Sequence, residues 1–599
     1  MKPDRSLFLL LLCVVLMFVF TACLGGEQPT PTPDDEGDKQ PEEETPQAPA
    51  EELAFELNED GETYKVVGIG TVTSKEVDVP ATHLEKPVTV IGEGAFENCY
   101  EITAVHLPDG ITSIEDRGFG YCSSLSNVSL PDSVTFIGRN AFEYCYALST
   151  VHIPKSMTTI SAGAFAYCYG LANLTIHDQV KVIDASAFYE CHRLTSVTIP
   201  DGVTDIGAYA FSGCYDIAEL TIPSSVENIG NYAFAEWKGL TELVVPDTVK
   251  TIGHGAFGDC INLKSITLPF VGRSGDASEP SAETLFGYVF GDFSSYDEYT
   301  TKVQQTYKVN TSMVYYFVPD SLTHVTITGG TVLYGAFSGC EKLVSIAIPE
   351  DVATIAPFTF YKCFALKEVT VPTGIDAIGN CAFYSCYNLD SFVIPNSVKS
   401  IGNNAFIQCT GMKSLTIGEQ VESIGAHAFE TCVNIDAILI PNSVKTIGEH
   451  AFEYCEKAKS LTIGSGVKSI GDSAFERCSE IESLTWWEGL ETIGNKAFAY
   501  IHKITYLNIP NTVTTIGEEA FYNWSGLTEM TLGNGLCFIG KNAFKNTHAL
   551  TDVYVNSTGW YVTEDSTATS GTFVDLSTSS VAAIYLKDTY LQYYMKRNA

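Results

Sequence analysis

Positive charge is scarce in this chain of 599 residues: 34 Lys and Arg stand against 72 Asp and Glu, a formal net charge of −38. A field of that sign repels phosphate backbones, which argues against nucleic acid as a partner. Catalytic signatures are missing too. There is no HExxH pair and no GxSxG elbow, and the carboxylates form no pair that a pocket would hold for glycosidase-type chemistry. The nearest approach to a nucleotide loop, Gly535 to Lys541, has Asn542 where a Ser or Thr would hold magnesium. The same glycine spacing recurs at Gly202 and Gly207, so the pattern belongs to the chain's own periodicity. No enzyme, no cofactor and no nucleotide is expected.

Apolar runs of membrane-spanning length are also lacking. The run from Leu7 to Phe20 has 14 residues, whereas a spanning helix needs roughly 20. Preceded by Lys2 and Arg5, it suits the core of a signal peptide. Thr21-Ala22-Cys23 resembles the bacterial lipobox, with Phe20 where Leu is usual. That resemblance implies a signal peptide over residues 1–22 and a lipid on Cys23. An ordinary secretory signal with an incidental cysteine is the other reading, and both carry the protein out of the cytoplasm. Residues 23–52 then form a tether. Its stretch 27–52 holds ten acids, six prolines and one lysine, so it cannot offset its ordering entropy by burial and stays extended.

What the chain has in abundance is repetition. Phe recurs every 23 residues from Phe96 to Phe257 and again from Phe337 to Phe544, marking eighteen units. A fixed period of this length signals a solenoid, whose units are too small to bury an apolar face alone and must stack. The residue five before each Phe is Ile in every unit but one, where Val332 stands. Positions six, nine and eleven after Phe are apolar, as in Leu194, Val197 and Ile199, while eight and ten are mostly small and polar, as in Ser196 and Thr198. That alternation predicts a strand with one buried face, ended by prolines such as Pro131, Pro200 and Pro395. Around each Phe a short helical or 3-10 piece is expected. Residues 53–90 read as an N-terminal cap with a hairpin at Asp60-Gly61, and residues 556–599 as a C-terminal cap.

The unit LxxVxIPxxVxxIGxxAFxxC resembles the BspA-like, Treponema-type leucine-rich repeat of bacterial surface proteins, over roughly residues 53–555. It departs from the better-known leucine-rich unit by lacking an asparagine ladder. The resemblance implies a β-rich, curved, right-handed array of about eighteen coils with a parallel sheet on its concave face. It also implies a lipoprotein of the bacterial envelope, exposed on the surface and adhesin-like, whose partner is an extracellular protein or a glycan. A structural or self-associating envelope protein is the alternative.

The repeats divide into residues 91–268 and 322–555, and between them residues 269–321 form an aromatic-rich insertion containing Tyr288, Tyr296, Tyr299, Tyr315 and Tyr316. Such an insertion either binds or fills its own small core. On the predicted face the candidate contact residues are His106 and His152, Thr175, Thr198, Thr221 and Thr267, and toward the C-terminal end Tyr506 and Tyr554. Eighteen strands at the usual spacing make that face about 90 Å long. His106 and His152 fall two coils apart, too far to share a zinc ion. Fourteen cysteines lie three residues after a repeat Phe. A single file of thiols cannot wrap a metal ion, so no metal site is expected. Trp237, Ile501 and Trp524 occupy the same slot, which predicts a buried apolar position holding free thiols. Cys381 and Cys386 are the pair left open for a bond.

Overall fold

The computed structural model describes residues 52–295, 298–308 and 313–554 in full, and the backbone of 555, 561–562 and 583–586. Cys23, the acidic tether and Tyr296 lie outside these residues. The described chain is a β-solenoid of about 21 coils with parallel sheets and almost no helix.

Each coil is tied to the next along three lines. On the face, three- or four-residue strands pair in parallel at a register of 23, as in Ser391↔Ser414 and Leu461↔Leu484. Alternation places Leu461 and Ile463 inside, each 1% exposed, beneath the outward Ser460 and Thr462. On the back, two-residue strands pair Ile to Ile. One ladder of ten runs from Thr354–Ile355 to Tyr561–Val562. Most coils have Gly after this Ile, where the backbones approach closely: a Cβ at Gly207 would lie 2.4 Å from the Ala185 nitrogen of the preceding coil, while Glu115, Ser161, Asp184, Leu333 and Ala356 stand at the position in five other coils.

The third line is the turn around Phe, and here no helical piece forms. Ser186 and Glu190, two residues either side of Phe188, have φ of 56° and 60°, and the same two positions are left-handed in most other coils. Single residues of that handedness turn alternate amides the same way. The Ser186, Phe188 and Glu190 N–H groups thus all donate to the next coil, to Ala208, Ala210 and Ser212 carbonyls at 2.8 Å. Among the described residues 3-10 helix occurs only at Ala282–Thr284 and Phe286–Val289, inside the insertion. The turn points each Phe inward. Rings stack from Phe96–Phe119 at 5.0 Å to Phe234–Phe257 at 6.1 Å, and the repeat Phe side chains are at most 1% exposed.

An amide ladder does exist, at a different place from that of better-known leucine-rich units. Three residues before Phe, Asn380 Oδ1 accepts from the Asn403 N–H at 2.8 Å, and Asn403 Oδ1 from the Ala426 N–H at 2.9 Å. Asp472 and Asn495 repeat the arrangement toward Glu518.

The insertion is one enlarged coil. Face strand Ser265–Leu268 pairs directly with His324–Ile327, so the chain leaves the face and returns to it 59 residues later instead of 23. In between it serves the turn ladder twice: Phe257 N–H donates to the Val289 carbonyl at 2.9 Å, and Phe286 N–H to Ala336 at 2.8 Å. Gln305, fully buried, accepts from Gly287 N–H at 2.8 Å and donates to the Ala336 and Ser338 carbonyls. Buried Asp259 accepts from Ser294 Oγ and Ser295 N–H. At the N-terminal end, Ala54–Leu57 and Tyr64–Gly68 pair antiparallel, and the second strand joins Lys86–Ile91 of the first coil.

The Phe stack makes a direct prediction. Phe406 sits between Phe383 at 4.9 Å and Phe429 at 5.1 Å. Phe406→Ala should cost about 3–5 kcal/mol in urea unfolding, and Phe406→Leu distinctly less. Equal losses for both would show that the stacked ring itself, and not the volume it fills, holds the site.

Candidate binding surfaces

The face carries its candidates in defined register. His106 lies between Asp78 and Ser129 on adjacent strands, and His152 opposite Thr175. Both histidines are exposed, and they belong to separate sheets. Among the described residues no group of three or more His, Cys, Asp or Glu converges as metal ligands would. Thr267 pairs with Thr326 across the enlarged coil. Thr198 and Thr221 are exposed but lie in no strand. The continuous 90 Å sheet expected from the repeat is therefore interrupted, and the face consists of sheets of two to five strands. Glu219 and Glu242 occupy the same column in adjacent coils, and like charges in facing positions oppose closure of a ladder there. The back and turn ladders keep both coils in place, with Ile199 and Ile222 each 5% exposed.

Large side chains interrupt this mostly small, neutral face at a few points: Val244, Val393, Leu439 and Tyr506 are each more than half exposed, and Tyr554 is 37% exposed.

In the insertion the four described tyrosine candidates separate by burial. Tyr316 is 2% exposed and donates its hydroxyl to the Ala282 carbonyl at 2.8 Å, and Tyr288 is buried beside His254. These rings build the enlarged coil. Tyr299 and Tyr315 instead face solvent, as do Phe293 and Met313. Phe293, Lys302, Met313, Tyr315 and Phe317, with Asp292, line an open groove of about 560 Å³. The Lys302 ammonium lies 4.6 Å from the centre of the Tyr315 ring.

A second aromatic surface was not anticipated. On the turn side, Tyr121, Tyr144 and Tyr167 stack at 4.7 and 4.3 Å. Beside them Tyr146, Tyr169, His192 and Tyr215 stack at 5.0, 4.6 and 4.7 Å. The two columns meet edge to face, and the Lys238 ammonium closes the second column 3.8 Å above Tyr215. The signal was present in the spacing: tyrosines at two and at four residues after Phe recur at intervals of 23.

The cysteine column proves to be a donor slot as well as an apolar one. Cys122 Sγ donates to the Phe96 carbonyl of the preceding coil at 3.0 Å, and Cys145 to Phe119 at 3.3 Å. Trp237 does the same through its indole nitrogen, 2.9 Å from the Phe211 carbonyl. All described cysteines are unbonded, Cys381 and Cys386 included.

A model of the BspA-type leucine-rich repeat region matches residues 74–192, 158–274, 330–459 and 446–568, in six copies. More than half of the chain is covered, and the protein belongs to that family. Its members are bacterial cell-surface proteins, typically binding proteins without catalytic activity. Among solved structures, a leucine-rich repeat protein from Bacteroides ovatus is 20% identical, with 86% of this chain and 98% of that one covered and a TM-score of 0.25. A leucine-rich cell-surface protein from Faecalibacterium prausnitzii is 27% identical, with 68% and 92% covered and a TM-score of 0.29. A leucine-rich repeat protein of T. pallidum is 25% identical, with 36% and 89% covered and a TM-score of 0.28. Comparison with curated proteins finds no match.

The thiol column has a pH consequence. Burial pushes the Cys122 thiol from 9.0 up to about 12, and the deeper thiols of the column shift upward for the same reason. The folded state holds these protons more tightly than the unfolded one. Their contribution is complete below pH 9 and is lost as pH rises toward 12. Urea midpoints should fall steadily above pH 9, and Cys122→Ser with Cys145→Ser should flatten that slope. An unchanged slope would assign the alkaline loss to other groups.

Proposed function

We propose that this protein is a lipid-anchored, adhesin-like surface protein that holds an extracellular protein or glycan through the insertion and the adjoining face. The observation that carries the reading is the cluster of exposed Phe293, Met313 and Tyr315 along one groove of the enlarged coil. Tyr288 and Tyr316 already fill the core of that coil, so the exposed rings are surplus to folding. Large apolar and aromatic groups gathered at one surface point are the usual anchors of an interface. The tether after Cys23 would hold this surface away from the membrane.

The test uses substitutions, because removing the insertion would break the turn ladder between Phe257 and Ala336. The full chain and its Phe293→Ala/Tyr315→Ala variant are compared for binding to immobilised matrix proteins, to mucin-type glycans and to the protein itself. Loss of at least about tenfold on a matrix protein or glycan is expected. Binding that ignores the double substitution would remove the insertion from the interface. Binding to itself alone would move the assignment to a structural envelope protein. Cys23→Ser should shift the protein from the membrane fraction to the medium, and retention on the membrane would refute the lipid anchor.

A further inference from the structure

The tyrosine wall on the turn side is independent of the insertion patch, and folding does not require it. The positions that hold Tyr144 and Tyr146 after Phe142 hold Gln408 and Thr410 after Phe406, and Thr431 and Val433 after Phe429, in coils of the same geometry. Stacking at 4.3–5.0 Å hides the ring faces against one another. The rings stay partly open to solvent, Tyr121 and Tyr146 each by more than a third and Tyr144, Tyr167 and Tyr169 by less. The outward groups therefore form a ladder with one step per coil. Burial and a hydrogen bond with Tyr167 push the Tyr144 hydroxyl up to about 12, so it stays protonated and neutral.

From this arrangement we infer that the wall is a binding site for a neutral, extended, β-linked glycan lying along the stack, each sugar facing about one coil. Three observations select that occupant. A phenol both donates and accepts, as sugar hydroxyls do, so the ladder pairs with a hydroxyl-rich chain and offers little apolar face to a protein. The groups repeat at the coil spacing, which suits a polymer whose own step is close to that spacing. The net charge of −38 repels sialylated, sulfated or uronic chains, leaving the uncharged ones. Individual contacts are weak, and affinity accumulates with the number of coils spanned.

The experiment measures binding of the full chain, in detergent, to a β-1,4-glucan hexamer, its dimer and polygalacturonate by calorimetry. The decisive variant is Tyr144→Phe/Tyr146→Phe/Tyr167→Phe/Tyr169→Phe, which keeps both stacks and removes four hydroxyls. The hexamer should bind at least about tenfold more tightly than the dimer, and the variant should lose at least about tenfold with its melting temperature unchanged. The Phe293→Ala/Tyr315→Ala variant should bind the hexamer as the parent does, which separates this site from the insertion. No hexamer binding, equal binding by the four-Phe variant, or equal affinity for polygalacturonate would overturn the inference.

Discussion

The structure depends on one backbone device, the turn around each repeat Phe. Left-handed residues two before and two after it make three successive alternate amides point at the next coil. A helix there would return its hydrogen bonds to itself and leave the coils joined by short strands alone. The device also sets the geometry of what it carries. The Phe rings fall into register at 4.9–6.1 Å, and the Phe carbonyl is left where a thiol or indole of the next coil reaches it. Left-handed backbone is costly for residues other than Gly and Asn, yet Tyr, Glu and Arg occupy these positions in many coils. Inter-coil hydrogen bonds and Phe burial hold each residue in place, which is the condition under which local strain persists.

Three ladders also give the array redundancy, and the surfaces draw on it. The face can lose pairing between Asn173–Thr175 and Glu242–Val244 while the back strands Asp205–Ile206 and Asn228–Ile229 keep the register. By the same logic one coil can grow to 59 residues between equivalent face positions, because Phe286, Val289 and Gln305 restore the turn bonds that an ordinary coil would supply. The insertion is thus held as firmly as a repeat, and its exposed rings stand on a fixed base.

Most of the architecture is legible in the spacing of a few residues. Phe at 23, Ile five before it and the alternation through Leu194, Val197 and Ile199 determine the stack, the back strand and the face strand. Less visible is anything that depends on direction. A slot holding Cys, Trp and Ile reads as apolar, yet most of its Cys members and both Trp aim a hydrogen at a carbonyl of the preceding coil, which Ile501 cannot do. The asparagines three residues before Phe look like loop residues until the coils are stacked. His106, Thr175 and Tyr554 stand out ten residues after Phe on the strand, whereas the turn tyrosines two and four residues after Phe are hidden by the Phe period itself. In the insertion, sequence spacing cannot separate Tyr316 from Tyr315, since adjacent strand residues face opposite sides.

The two aromatic surfaces differ in what they can hold, and that difference follows from how the rings are packed. On the insertion, Tyr315 and Phe293 leave apolar surface exposed beside Lys302 and Asp292, a mixture of greasy area and opposite charges that suits a folded partner with its own side chains. On the turn side the rings spend their faces on one another, and neutral hydroxyls are what the solvent meets. In a protein of net charge −38, the strip has few ionic groups, chiefly the Glu190–His192 pair and Lys238 above Tyr215, so an uncharged polymer lying along its phenols desolvates few ions. Both surfaces coexist because turn tyrosines such as Tyr144 and Tyr167 join the ladder through backbone N–H groups, which donate to the next coil whatever the side chain, and leave the ring free to vary. Substitution on one surface can therefore proceed without disturbing the other, which is the property a surface protein facing several partners requires.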